Sequence, residues 1–238
     1  MAKFTIKLKK KVEVADDTYA FYWEVPEDFT FKAGQFAEFT LIDPPQTDEE
    51  GNTRVFSFVH SPYEKEVVTA TRIRDSAFKQ TLRDLEEGTE VTFAGPFGGF
   101  TLHKTESTPA VFVIGGIGIT PVRSMIAQAL NEGTKHDITL LYSNKTPQDA
   151  PFLEEFEQMA KEHDNFKFVP VMTRTSEDEW DGENGHIDAD MLKRHVDDVS
   201  KPIYYLSGPA NMVQAMNDML VEAGANEDNI RLEEFSGY

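Results

Sequence analysis

Residues 110–126 read AVFVIGGIGITPVRSMI, and the fold is decided there. Five apolar residues, Ala110 to Ile114, run without polar interruption, as a strand buried on both faces would. Gly115, Gly116 and Gly118 follow, and Pro121 opens an amphipathic segment whose first turn tolerates a residue lacking an N–H. Glycines let backbone N–H groups approach a ligand closely, and a helix start carries partial positive charge. Strand, glycine turn and helix start together suit the phosphates of a dinucleotide. The same residues also suit an ordinary strand-to-helix turn; the strand before and the Thr120-Pro121 pair after favour the nucleotide.

Downstream the pattern alternates between strand and helix. Strands are predicted at 110–114, 138–142, 166–172 and 203–206, and helices at 121–132, 151–163, 188–196 and 210–223. That is a doubly wound parallel sheet, whose ligand belongs beyond the carboxyl ends of the strands. Upstream the period is shorter. Strands at 3–14, 19–25, 35–42, 54–60, 66–73 and 90–94, with one short helix at 77–85, predict a small antiparallel barrel. The change of period near 103–108 divides the chain into a barrel domain, 1–104, and an α/β domain, 105–238. The acidic insert 43–52 reads as a solvated loop, and 178–185 as an exposed one.

Composition narrows the functions. With 39% hydrophobic and 11% aromatic residues among 238, the chain has the means to bury a core. It has no apolar run fit to span a bilayer, and MAKFTIKLKKK lacks a signal-peptide core, so a cytoplasmic protein without membrane insertion is expected. The absence of cysteine excludes disulfides and cysteine-ligated iron–sulfur clusters within this chain, and six scattered histidines speak against zinc. A net charge of −19 argues against nucleic acid as a partner, since its phosphates would be repelled. The excess is uneven, with 13 basic and 18 acidic residues up to Lys104 but 10 basic and 24 acidic from Thr105. Solubility explains it; so would steering of a basic partner.

The barrel has chemistry of its own. Arg54-Val55-Phe56-Ser57 offers a planar fork for phosphate, a ring to stack on and a hydroxyl for a heteroatom. Thr71-Arg72-Ile73-Arg74 leads into a short helix whose first-turn amides, with Lys79, Gln80 and Thr81, form a second anion-binding start, or else a capped surface helix. Gly95-Pro96-Phe97-Gly98-Gly99 reads as a tight turn.

In that order these motifs resemble the ferredoxin–NADP reductase superfamily of flavoenzymes, over almost the whole chain. Arg54 to Ser57 is similar to its RxYS flavin motif, and Gly95 to Gly98 to its GPxG turn. Gly115 to Pro121 is similar to its GGxGxTP nucleotide motif, and Ser207-Gly208-Pro209-Ala210-Asn211-Met212 to its CGPxxM segment. The resemblance implies FAD on the barrel and NAD(P)H on the α/β domain, the nicotinamide meeting the flavin between them. By it Arg54 binds the FAD pyrophosphate, Phe56 packs on flavin or ribose, and Ser57 bonds the flavin edge. Lys79, Gln80 and Thr81 stand with the pyrophosphate, and Thr120 faces the nicotinamide; Arg72, just before that helix, is a further cofactor-binding candidate. Phe56 replaces the usual tyrosine, Asp75-Ser76 replaces a glycine pair, and Ser207 replaces a cysteine near the hydride-donating carbon. Phe235 or Tyr238 would cover the flavin or merely pack on the barrel, with Glu234 near the reacting rings.

Hydride transfer between stacked rings asks for alignment rather than a general acid or base. Nucleotide choice is read at Ser143-Asn144-Lys145. Ser143 and Lys145, with Arg174, lean slightly toward NADPH, although Lys145 equally suits an exposed turn. The first functional reading is an NAD(P)H oxidoreductase feeding a separate carrier such as ferredoxin or flavodoxin. The alternatives are an NAD(P)H:flavin reductase and a non-catalytic subunit that senses flavin or nucleotide.

Overall fold

The computed structural model describes residues 2–176 and 179–235. Its contacts divide the described residues into two units: one holds 2–101 together with Thr120–Asn131, the other Leu102–Ile119 and the described residues from Glu132 to Phe235.

The first unit contains β1 (Ala2–Ala15), β2 (Thr18–Trp23), β3 (Phe36–Leu41), β4 (Thr53–Ser57), β5 (Val67–Arg72), α1 (Ala77–Asp84) and β6 (Glu90–Phe97). The strands form an antiparallel sheet in the order β4-β3-β6-β1-β2-β5. A bridge between Phe58 and Thr69 joins its two outer strands and closes it. Alternation decides what lies inside: along β3 Ala37, Phe39 and Leu41 are buried while Glu38 is exposed. Aromatic rings fill the interior, with Phe39 5.2 Å from both Trp23 and Phe93. Trp23 Nε1 donates to Thr69 Oγ1 at 3.0 Å, so the indole is buried with its one polar atom satisfied. In α1, Phe78 and Leu82 lie four residues apart, on the one face the helix turns to this core.

From residue 110 the elements are β7 (Ala110–Gly115), α2 (Ile119–Glu132), β8 (Ile138–Asn144), α3 (Leu153–Glu162), β9 (Phe166–Met172), β10 (Glu183–Asn184), α4 (Ala189–His195), β11 (Ile203–Pro209), α5 (Ala210–Glu222) and β12 (Ile230–Phe235). The sheet is parallel throughout, in the order β10-β9-β8-β7-β11-β12. Every residue of β7 is buried, as its unbroken apolar run requires. Chain order runs outward from β7 through β8 and β9, then resumes at β11 on β7's other side. The strand order thus reverses between β7 and β11, and open sheets of this kind bind ligands beyond the carboxyl ends at such a reversal.

Both predicted architectures are present, with four local differences. Residues 95–97 are strand rather than turn, because β6 continues until Phe97 pairs with Phe36. α2 begins at Ile119, after a 3-10 turn over Gly116–Gly118, so Pro121 sits within its first turn. The loop expected at 178–185 contributes β10 to the sheet edge beside Val171 and Met172; its Asp178 lies outside the described residues. The tail forms β12, a strand that the sequence pattern does not predict.

Candidate functional site

In the parallel-sheet unit the glycine turn and the end of β11 meet tightly. A Cβ on Gly118 would lie 2.6 Å from the carbonyl carbon of Ser207 and 2.7 Å from the nitrogen of Gly208. One on Gly115 would lie 2.3 Å from Met212 Sδ and 3.3 Å from Pro209 Cδ. Gly115, Gly118, Ser207, Gly208, Pro209 and Met212 are thus assembled at the strand-order reversal, and Gly116 turns the chain there with φ 51°. Ser207 Oγ is buried and has no hydrogen-bond partner among the described residues. Two strands away, at the end of β8, both amide atoms of buried Asn144 also lack partners among the described residues. Orphaned polar atoms at the ligand-binding end of a parallel sheet suit a polar ligand, so the residues fit a nicotinamide nucleotide. Ser143 is level with Gly115 across β7 and β8, and Lys145 is exposed just past the strand. Thr120 and Pro121 are buried in the first turn of α2.

In the barrel unit the cations gather at the start of α1. The Arg54 guanidinium lies 5.1 Å over the Phe78 ring, and Nη1 donates to the carbonyls of Glu50, Gly51 and Thr53. Burial, then the positive charge of Arg74 and Arg54, pushes the Lys79 ammonium below its ordinary value. Gln80 Nε2 donates to the Arg74 carbonyl at 3.2 Å. Ser76, at the N-cap, and Thr81 both have buried hydroxyl oxygens without partners among the described residues. Arg54, Lys79 and these hydroxyls fit the diphosphate of a flavin nucleotide.

Each of the other barrel residues has its own surroundings. Arg72 is buried, its Nε donating to Thr18 Oγ1 at 3.3 Å. Phe56 joins the aromatic core, 5.8 Å from Phe39 and 5.9 Å from Phe78. Ser57 is buried opposite Phe36. Glu234 and Phe235 end β12 opposite Gly208 and Pro209; Tyr238 lies outside the described residues.

Two features are not visible from the sequence pattern. The Asp48 carboxylate, from the insert that reads as a solvated loop, sits on Arg54 and on the N-terminus of α1. Arg123 and Glu64 form a largely buried ion pair, and Ser124 Oγ donates to the His60 carbonyl at 2.9 Å.

Residues 112–218 match the family model of the oxidoreductase NAD-binding domain. Two relatives come from the Na(+)-translocating NADH-quinone reductase, both its F component. That of Pseudoalteromonas atlantica is 29% identical over 232 residues, covering 90% of this chain and 56% of the relative. That of Neisseria meningitidis serogroup B is 31% identical over 205 residues, covering 79% and 50%. The chain thus spans about half the length of these relatives. Among solved structures, a ferredoxin NADP+ reductase from Neisseria gonorrhoeae with bound FAD and NADP superposes with TM-score 0.81 at 20% identity, covering 98% of each chain. An Amycolatopsis cytochrome P450 reductase, GcoB, gives TM-score 0.85 at 24% identity, covering 98% of this chain and 70% of that one.

Residues 112–218 are therefore similar to an oxidoreductase NAD-binding domain. Over nearly the whole chain the fold is that of the ferredoxin NADP+ reductase from Neisseria gonorrhoeae. No helix among the described residues is long and apolar enough to cross a membrane.

Proposed function

We propose that the chain is an FAD-dependent oxidoreductase that takes hydride from NADH and passes electrons to a separate protein carrier. The observation that carries this reading is the buried Ser207 hydroxyl, unpartnered among the described residues, beside the glycine turn at the strand-order reversal of an NAD-binding domain. FAD, when bound, accepts a hydride and divides the electron pair into single electrons. The chain's own part is to hold and align. Arg54, Lys79 and the first amides of α1 receive the flavin's diphosphate, and the amides of the 115–118 turn receive that of the nicotinamide nucleotide. Ser207 orients the nicotinamide, in the role the superfamily resemblance assigns it.

The relatives' name supports NADH as donor and a larger assembly as the destination of the electrons. A chain without cysteine holds no thiolate-bound iron–sulfur centre, which supports a separate one-electron carrier of the ferredoxin or flavodoxin kind. A donor choice of NADPH is the reading favoured by Ser143 and Lys145. Release of reduced flavin, the reductase alternative, is favoured by the carboxylate already seated in the barrel's cationic cradle.

Anaerobic stopped-flow mixing of the FAD-loaded chain with NADH or NADPH tests the reading. The flavin band should bleach faster with NADH and return on adding a one-electron acceptor, without free flavin. Faster bleaching by NADPH reverses the donor assignment, and a requirement for added flavin selects the flavin-reductase reading. Absence of bleaching with either nucleotide would overturn the proposal.

A further inference from the structure

The anion cradle of the barrel is engaged by the chain itself. Asp48 Oδ2 accepts from the Ala77 N–H at 2.9 Å, the opening amide of α1. Oδ1 accepts from Arg54 Nη2 at 3.3 Å and from the Glu50 N–H at 3.1 Å. Glu50 adds a second carboxylate oxygen 2.7 Å from Arg54 Nη2. With Arg54 also donating to the carbonyls of Glu50 and Gly51, the acidic loop wraps the guanidinium. A carboxylate joining an arginine to a helix N-terminus takes up the donors a phosphate would use. Burial raises the Asp48 carboxyl, but the Ala77 and Glu50 amides and the Arg54 charge together hold it below its ordinary value.

We propose that Asp48 is an internal stand-in for phosphate, so that a flavin nucleotide seats its diphosphate on Arg54 and α1 only by displacing the acidic loop, and is exchanged rather than permanently held. This rests on the reading of the barrel as a flavin site. A diphosphate offers more charge and more acceptor oxygens than one carboxylate, so it wins at sufficient concentration. Its apparent affinity is lowered by the fraction of molecules in which the loop is closed. The competition concerns only the phosphate end: riboflavin, which has none, does not meet it.

The experiment is a titration of the full chain, freed of flavin by dialysis, with FAD and separately with riboflavin, followed by quenching of flavin fluorescence. Wild type, Asp48→Asn, Glu50→Gln and Arg54→Ala are compared, with circular dichroism to verify folding. Asp48→Asn keeps the side chain's shape and removes its charge; it should bind FAD about tenfold more tightly, as expected for loss of a charge-assisted competitor. Riboflavin affinity should not change. Glu50→Gln, which removes one of the two carboxylates from the arginine and leaves Asp48 on both the arginine and the helix amide, should show a smaller gain, and Arg54→Ala should bind FAD more weakly. Equal or weaker FAD binding by folded Asp48→Asn would overturn the proposal, as would an equal gain for riboflavin, which would make the loop a steric cover. If no variant binds either flavin, the flavin site itself is refuted, and the proposal with it.

Discussion

Replacing Arg123 by Met breaks the ion pair with Glu64 and should weaken the barrel unit more than any single surface change. The side chains are 6% and 16% exposed, so solvent screens the pair little. Glu64 keeps the Ser61 N–H and hydroxyl donors, at 2.6 and 2.8 Å, but loses its cationic partner. Breaking a buried pair from one side costs about 3–5 kcal/mol, because a charge is left behind. The retained Ser61 bonds point to the lower end, about 3 kcal/mol. The Arg123→Met/Glu64→Gln double variant removes both charges and should lose about 2 kcal/mol less than the sum of the singles. Urea unfolding followed by Trp23 fluorescence in a Trp180→Phe background reports on the barrel unit. Additive losses would refute the reasoning. So would a loss below about 0.5 kcal/mol for Arg123→Met, the range of ordinary surface substitutions.

The same pair sets a pH dependence. Burial raises the Glu64 carboxyl, yet the Arg123 and Ser61 donors outweigh it and hold the value below the ordinary one. A depressed carboxyl contributes stability above its unfolded value, about pH 4.3, and loses it as pH falls through the folded one. Wild type's advantage over Glu64→Gln should therefore shrink below about pH 4. Ser207→Ala removes a buried hydroxyl without a partner among the described residues and should stabilise the nucleotide-free chain by about 1 kcal/mol while slowing flavin reduction; thermal unfolding and stopped flow read the two effects. Gly118→Ala drives a methyl into the Ser207 carbonyl and should cost about 1–3 kcal/mol, read as a lowered Tm. Ser57→Ala should slow flavin reduction and leave folding nearly unchanged; an unchanged rate would remove the hydroxyl from the mechanism.

The fold was legible because its strands advertise their surroundings. β7, buried on both faces, is an unbroken apolar run, and β3, buried on one, alternates. β12 was not, because an edge strand reading IRLEEF leaves Leu232 48% exposed and carries charge where a core strand would be apolar. At the candidate site, residue type identified cationic candidates but not their directions. Arg54 and Arg72 look equivalent as sequence, yet one meets the acidic loop and the other is turned inward to Thr18. Asp48 could not be read at all, since an insert's charges have a partner only once its path is known.

The first unit is discontinuous: residues 120–131 belong to its contacts although eighteen residues of the other unit, 102–119, come before them. A fragment ending at Lys104 would contain Glu64 without the guanidinium that answers it and the His60 carbonyl without the Ser124 hydroxyl. Expressing the barrel by itself therefore calls for a rewired chain, in which a short linker carries Thr101 directly to Thr120. A simple truncation would expose a raw seam where α2 belongs.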